Sequence, residues 1–218
     1  MENNRTLIGK KKKSSALVAG VGTKGMKYSA KVDGKHTREY KLWNSMLQRC
    51  YSKSYQERYP AYIGTTCSEN FKSYEYFYEW CQTQVGLNAK DEKGRYWHLD
   101  KDILIQNNKV YSEDTCVFVP PRINLLFVKC GRVIGDFPAG VCWDNRVNKF
   151  FAQCSDGGGK SKPLGFFVSK EEAFSVYKSF KESLVKSIAL TYKDKVDKRV
   201  YQAMSCWEVV ESNSTHLI

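Results

Sequence analysis

Residues 97–124, WHLDKDILIQNNKVYSEDTCVFVPPRIN, constrain the fold more than any other stretch of the chain. β-Branched and aromatic residues cluster in two short runs, which is typical of strands, and polar turn-forming residues separate them. Proline is tolerated in the first turn of a helix, so Pro120 and Pro121 indicate where a helix begins. The pattern predicts a compact ββα unit with a strand at 97–105, a turn at 106–109, a second strand within 110–119 and a helix at 122–129.

The composition favours a folded chain with a polyanionic partner. Aromatic residues make up 14% of the 218 residues, which supports folding rather than disorder. Lys and Arg number 35 against 23 Asp and Glu, which gives a net charge of +12. Such a surplus favours nucleic acid, because basic side chains release the counterions that phosphates hold. The alternative is a basic protein whose charge serves only to keep it in solution.

The eight cysteines do not form a zinc motif, because no two of them stand in a C-x-x-C pair. Several lie in apolar periodic runs, where a reduced thiol behaves as a small core residue, so we expect a reducing cytosolic compartment and no zinc. No apolar stretch approaches the roughly 20 residues of a membrane helix, and the Gly-rich segment after Lys13 is too short for a signal peptide. We therefore expect neither a membrane partner nor a targeting segment.

Helical and strand periodicities flank the ββα unit on both sides. Apolar residues recur every three or four positions in several segments, which predicts amphipathic helices, and short alternating runs after the unit predict strands. Ser169 and Glu172 form a capping box at the start of one helix. The predicted elements are a hairpin within 16–35, helices at 38–51, 74–85, 169–184 and 196–207, and strands at 140–144, 149–155 and 162–167.

Four segments of the chain resemble bacteriophage proteins described as HNH homing-endonuclease-like. They are LWNSMLQRCYS at 42–52, YEYFYEW at 74–80, LDKDILIQNNKVYSEDTCVFVPPRIN at 99–124 and KRVYQAMSCWEV at 198–209. The resemblance covers most of the chain from Tyr40 onward and implies a nuclease-type ββα fold, the HNH or His-Me finger. In that fold a His activates water, a metal ion held by Asp, His or Asn neutralises the scissile phosphate, and a middle Asn stiffens the loop.

Matching by order carries these roles onto the central stretch, with one departure. Asp100 takes the position of the acidic metal ligand, Asn108 that of the middle Asn, and Asn124 that of the third residue, on the helix. Lys101 stands where the general-base His belongs, and a Lys with a pKa of about 10 is a poor base at neutral pH. The implied cofactor is Mg²⁺, with Asp100, Asp102 and Asn124 as candidate ligands.

His98 is the alternative base. It precedes Asp100 by two residues, so both side chains lie on one face of a regular strand. The competing interpretation is structural, with His98 as a hydrogen-bonding residue, Asn107 and Asn108 as ordinary turn formers, and Asp102 paired only with a Lys. The candidate catalytic residues are thus His98, Asp100, Lys101 and Asn108.

The segment after residue 139 separately resembles the APETALA-type DNA-binding domain of plant transcription factors and phage homing endonucleases. The matching words are GV at 140–141, KFFAQC at 149–154, LGFF at 164–167 and SKEEAFSVY at 169–177. The resemblance implies a three-stranded antiparallel sheet that lies in the major groove of DNA, with a helix behind it.

Strand alternation sorts the side chains of this sheet into two faces. The predicted helix-facing set is Phe150, Ala152 and Cys154, and the predicted outward set is Phe151, Gln153 and Ser155. An outward Gln can pair with adenine, and an outward Phe can touch a thymine methyl group. Basic residues at loops and strand ends are suited to phosphates, namely Arg146, Lys149, Lys160 and Lys162. Where the plant domains carry Arg and Trp, this chain has Cys142, Asp144, Ser155 and Pro163, so no target sequence follows.

These observations predict an α+β chain in five parts. The parts are a basic arm and hairpin at 1–38, an HNH-like ββα domain with flanking helices at 39–130, a linker at 131–138, an APETALA-like module of three strands and a helix at 139–190, and a helix and tail at 191–218. We expect a double-stranded DNA-binding protein of homing-endonuclease type with degenerate catalytic activity, in the cytoplasm of an infected bacterial host. The alternatives are an active metal-dependent HNH endonuclease and a chain with an RNA or protein partner.

Overall fold

The computed structural model describes residues 16–127 and 137–210, which form a mixed α+β structure of helices and several small sheets. Backbone packing divides the chain into two units, residues 1–79 and 80–218. The predicted ββα domain at 39–130 therefore has residues in both units. Residues 1–15 of the predicted arm, 131–136 of the linker and 211–218 of the tail lie outside the described residues.

The longest helix of the first unit, α1 (Arg38–Tyr51), begins and ends where the sequence predicts. Thr37 caps it by accepting a hydrogen bond from the backbone N–H of Tyr40. Its buried residues recur every three or four positions and are Tyr40, Trp43, Met46, Leu47 and Cys50. Trp43 donates from Nε1 to the carbonyl oxygen of Phe71 at 2.8 Å, so its polar atom is satisfied inside the core.

A short hairpin precedes α1, in which β1 (Lys31–Val32) and β2 (Lys35–His36) pair antiparallel around Asp33 and Gly34. Both turn residues have positive φ, 49° and 74°, which is the geometry that an Asp-Gly pair favours. The paired strands of this hairpin thus lie at the end of the segment in which a hairpin was predicted.

Short elements follow α1 in the first unit. They are α2 (Lys53–Arg58), 3-10 turns at Pro60–Tyr62 and Asn70–Lys72, strand β3 (Thr66–Cys67) and helix α3 (Tyr74–Gln82), which crosses into the second unit. Val85 lies beyond the end of α3 and is exposed, so the second predicted helix is shorter than its apolar pattern.

In the second unit the strand–turn–strand–helix order of residues 97–124 is present, with shorter strands than predicted. β4 (His98–Asp100) pairs antiparallel with β6 (Val117–Val119), and α4 (Pro121–Phe127) follows directly. β4 ends early because the Asp100 carboxylate accepts hydrogen bonds from the backbone N–H groups of Asp102 and Ile103, which turns the chain. Strand β5 (Val110–Tyr111) lies between the two in sequence.

The predicted three-stranded antiparallel sheet is confirmed, in the order β7 (Val141–Asp144), β8 (Lys149–Ser155) and β9 (Ser161–Phe167). Helix α5 (Lys170–Tyr192) packs on one face, where Val141, Ala152 and Ala173 form a small apolar core. Phe150 packs against this core and Cys154 is buried, as strand alternation predicts.

Helix α5 also connects the sheet to α4. Ser169 caps α5, as the sequence predicts, by accepting from the N–H of Glu172. Further along, Lys181 is only 5% exposed and donates from Nζ to the carbonyl oxygen of Leu126 at 2.6 Å. The turn between β8 and β9 comes so near α4 that a Cβ on Gly157 would lie 3.0 Å from the carbonyl oxygen of Arg122. The sheet module and α4 therefore pack directly against each other.

The last helix, α6 (Lys198–Ser205), packs against α5 and buries Val200 and Met204, in the segment where a helix is predicted. Asp197 caps it by accepting from the N–H of Arg199. Within residues 16–127 and 137–210, no helix combines the length and apolar character that crossing a membrane requires.

Candidate nucleic-acid interface and the central polar loop

The central polar loop, residues 100–108, begins with a carboxylate that binds its own backbone. Asp100 Oδ1 lies 2.8 Å from the nitrogen of Asp102 and 2.7 Å from that of Ile103. Burial raises the pKa of Asp100, and these two hydrogen bonds oppose that shift. The carboxylate predicted as a metal ligand therefore has a structural role in shaping the loop.

Lys101 is buried in the same loop, with 5% of its surface exposed. Its Nζ donates to Asp102 Oδ1 and to the carbonyl oxygen of Asn108, each at 2.6 Å. The ammonium also stands 5.6 Å from the ring centre of Tyr111, within cation–π range. A carboxylate, a carbonyl oxygen and an aromatic ring thus surround the Lys101 ammonium.

Asn108 closes the loop from the other end. Its amide nitrogen donates to the carbonyl oxygens of Lys101, at 2.8 Å, and Val110, at 2.6 Å, while Oδ1 accepts from the N–H of Val110. These three hydrogen bonds tie the two ends of the loop together. The preceding Asn107 is exposed and has a φ of 60°, a left-handed conformation that Asn tolerates well.

His98 and Asn124 are brought together, although they are far apart in sequence. The side-chain amide nitrogen of Asn124, on α4, lies 2.9 Å from Nδ1 of His98, on β4. His98 is exposed, and Asp100 is two residues further along the same strand. The strand and the helix of this region therefore meet at the His98 imidazole.

The three predicted Mg²⁺ ligands have different partners in this arrangement. Asp100 binds backbone N–H groups, Asp102 binds Lys101, and Asn124 binds His98. In the described part of the chain, no group of three or more His, Cys, Asp and Glu side chains is placed to hold a metal ion. Mg²⁺ stays a prediction.

The outer face of the β7–β9 sheet, opposite α5, carries an aromatic pair beside an amide. The Phe151 and Phe166 rings lie 4.9 Å apart on neighbouring strands, and Phe166 is 47% exposed. Gln153 is exposed next to them, and its Oε1 accepts from the hydroxyl of Ser161 at 3.0 Å. Two flat apolar rings and a side-chain amide are thus presented together on one strand surface.

The four predicted phosphate-binding residues lie in different environments. Lys149 and Lys160 are exposed at the two ends of the hairpins that β8 forms. Arg146 is exposed too, but its guanidinium holds Asp144 at 2.6 Å, and this hydrogen bond lowers the pKa of Asp144 to about 2. Lys162 lies on the other face, with Nζ 4.7 Å from the ring centre of Phe180 on α5. Lys162 is therefore not brought together with Phe151 and Gln153.

No family model, curated protein or solved structure matches this chain.

Sequence reasoning missed Phe166 as an outward residue, because β9 carries an irregularity. Gly165 pairs with Ala152 but Pro163 pairs with Gln153, so Leu164 is an extra residue in the ladder. The alternation of β9 reverses there, and Pro163 and Phe166 both fall on the outer face although they are three residues apart. Gly165, with a φ of 132°, is the residue that permits this backbone, and a Gly inside a strand pattern is the signal for it.

Proposed function

We propose that this chain is a duplex-DNA-binding protein of the phage homing-endonuclease type, in which the C-terminal sheet contacts DNA and the ββα unit no longer cleaves it. One observation carries the proposal: α5 covers one face of the β7–β9 sheet, while Phe151, Phe166 and Gln153 stand together on the other. The proposed location is the cytoplasm of an infected bacterium, where duplex DNA is accessible to the protein.

The chemistry of the outer face suits the major groove. That groove admits a β-ribbon, and it presents adenine N6 and N7 to a side-chain amide and the thymine methyl group to an apolar ring. Gln153 and the Phe151–Phe166 pair are side chains of these two types. Exposed Lys149 and Lys160 at the strand ends would contact the phosphates on either side, and the net charge of +12 supplies the general attraction.

The ββα unit supports the nuclease ancestry and argues against present activity. Antiparallel β4 and β6 followed by α4 are the arrangement expected of an HNH finger, and Asn108 stiffens its loop. Lys101, however, replaces the base and is fixed as a buried cation by Asp102 and Asn108. A protonated, doubly hydrogen-bonded ammonium does not accept a proton from water.

Fluorescence anisotropy with a labelled duplex tests the binding proposal. We expect wild-type affinity to fall steeply between low and moderate salt. Lys149→Gln should lower the slope of log K against log salt by about 1, whereas the matched change Lys162→Gln, on the α5 side, should leave it unchanged. Absence of binding, or a flat salt response, would overturn the proposal.

Competition distinguishes DNA from RNA in the same assay. Unlabelled duplex DNA should displace the labelled probe at lower concentration than double-stranded RNA of equal length. The reason is that the deep, narrow major groove of A-form RNA does not admit the sheet. Stronger displacement by RNA would favour the RNA partner instead.

The second candidate function is an active metal-dependent endonuclease, and the observation behind it is an exposed imidazole, His98, placed against Asn124 of α4. If the Asn124 amide turns so that Oδ1 accepts from Nδ1–H of His98, then Nε2 of the exposed imidazole holds a lone pair and can take a proton from water. With the amide nitrogen facing Nδ1, Nε2 instead carries the proton and cannot.

A nicking assay on supercoiled plasmid with Mg²⁺ or Mn²⁺ separates the two functions. Nicking that is lost in His98→Ala and in Asp100→Ala, but kept in Asn107→Gly, would establish cleavage. Plasmid that stays supercoiled with every metal ion, in a protein that binds duplex DNA, leaves the binding function alone.

A further inference from the structure

A cluster of two thiols and a phenol lies in the first unit. Cys50 and Tyr51 are in the last turn of α1, and Cys67 is in β3, which packs against α1. Tyr51 Oη stands 3.5 Å from Cys67 Sγ and 3.3 Å from the backbone nitrogen of Cys67. Both cysteines are buried, with 5% and 7% of their surfaces exposed.

The hydrogen bonds of this cluster converge on one sulfur. Tyr51 Oη accepts the N–H of Cys67, and either group can donate in the contact between Tyr51 Oη and Cys67 Sγ. Once Cys67 is a thiolate its sulfur can only accept, so the Tyr51 hydroxyl is then the donor. The side chain of Cys50 forms a second hydrogen bond with Cys67. Two donors on one sulfur stabilise its thiolate, as hydrogen bonds to a charged form do in general.

The titration of Cys67 follows from this arrangement. The Cys50 hydrogen bond, helped by Tyr51, lowers the pKa of Cys67 to about 7 although burial opposes the shift. Burial and the bond to Cys67 raise the pKa of Tyr51, so the phenol keeps its proton at neutral pH. The nearest charges are Lys72, which favours the Cys67 thiolate, and Glu69, which opposes it, and these two are paired with each other.

The pKa values of Cys116, Cys142 and Cys154 shift in the opposite direction. Cys116 is fully buried, and burial raises its pKa to about 12. Burial also raises the pKa values of Cys142 and Cys154. Cys206 is exposed, and so serves as the internal standard for an accessible thiol.

We propose that Cys67 is a peroxide-reactive thiol and that Cys50 resolves its oxidised form into a disulfide joining α1 to β3. The Cys67 thiolate attacks one oxygen of hydrogen peroxide, the O–O bond breaks, and Cys67 becomes a sulfenic acid while hydroxide leaves. The Cys50 sulfur then attacks the sulfenic sulfur, forming the S–S bond and releasing a second hydroxide. The two thiol protons neutralise the two hydroxides, so two thiols and one peroxide give one disulfide and two waters.

Mass spectrometry on the full chain tests the proposal. After brief exposure to dilute peroxide and alkylation without reductant, a linked peptide pair containing Cys50 and Cys67 should appear, lighter by two hydrogens than the separate thiols. Cys206 should remain alkylated over the same time. Cys67 that stays alkylatable, or that oxidises no faster than Cys206, would overturn the proposal.

Two variants and one pH series identify the cause of the reactivity. Cys50→Ala should abolish the linked pair and leave Cys67 as a sulfenic or sulfinic acid. Tyr51→Phe keeps the ring but removes one donor, so alkylation of Cys67 should reach half its maximal rate at a higher pH than in wild type. In the wild-type chain that midpoint should lie near 7, against about 8.5 for a cysteine in a model peptide. A midpoint equal to that of the peptide would contradict the role of the cluster.

Discussion

The central polar loop and the outer face of the C-terminal sheet are the two candidate sites, and their side chains differ in where their contacts lie. In the loop, Asp100, Lys101 and Asn108 bind backbone groups or each other within nine consecutive residues. On the sheet, the Phe151–Phe166 pair and Gln153 stand on an exposed surface. The loop satisfies its own polar groups, whereas the sheet leaves these side chains at the surface.

This difference shows that the type of a residue does not by itself give its role. Asp, Lys and Asn at HNH-like spacing fit catalysis and loop formation equally well, because the same donors and acceptors serve both. What distinguishes the roles is the position of the partners, which lie inside the chain for the loop and, under the proposed function, outside it for the sheet. Substitutions in the loop should therefore affect stability, and substitutions on the sheet should affect affinity for DNA.

The largest effect is expected for Asn108→Ala. This change removes three side-chain hydrogen bonds, to the carbonyl oxygen of Lys101 and to both backbone groups of Val110, which should lower the free energy of unfolding by about 2–3 kcal/mol in urea denaturation. The control is Asn107→Gly, which keeps the left-handed backbone at an exposed position and should change stability little. Equal losses in both variants would show that Asn108 does not hold the loop.

The next effect concerns the sheet. Gln153→Ala should weaken binding to a preferred duplex by about 1–2 kcal/mol, roughly tenfold, with little change in stability because Gln153 is exposed. Val168→Ala, at an exposed apolar residue just after β9, should leave affinity unchanged. Anisotropy titrations measure both, and affinity that falls in Asn108→Ala but not in Gln153→Ala would reverse the assignment of the two regions.

The smallest effect is a pH dependence at Asp100. Burial raises the pKa of Asp100 in the folded state, so folding favours the protonated carboxyl. This stabilisation is fully present below the unfolded pKa of about 3.9. It is lost as the pH rises through the folded pKa. Asp100→Asn imitates the protonated form. It should match wild type in urea unfolding at pH 3 and be slightly more stable at pH 7.

Asp102→Asn provides the contrast at pH 7. It weakens the partner of the buried Lys101 ammonium and should lower stability. Lower stability of Asp100→Asn than of Asp102→Asn at pH 7 would contradict this expectation. It would show that the fold needs the charged form of Asp100, which is also the form that a metal ligand takes.

Local patterns predicted much of the fold. The spacing of Tyr40, Trp43 and Leu47 located α1, and the alternation of β8 sorted its side chains correctly, because both signals depend on neighbours in the chain. A hairpin is predicted within 16–35, and the strands that pair around Asp33 and Gly34 lie at the end of that segment.

Contacts between distant residues were beyond these patterns. Lys181 is 55 residues from Leu126, whose carbonyl oxygen it binds, and nothing in the amphipathic pattern of α5 predicts a buried lysine. The extra residue at Leu164 reversed the alternation of β9 and concealed Phe166. Lys101 was recognised as an unsuitable base, but its burial depends on Asn108 closing the loop above it.

Hydrogen–deuterium exchange with and without saturating duplex DNA compares the two regions in a single measurement. The account predicts that DNA slows exchange at the exposed edges and turns of the β7–β9 sheet, in peptides from residues 141–167, and leaves residues 100–108 unchanged. Protection confined to residues 98–124, or no protection of the sheet at saturating DNA, would contradict it.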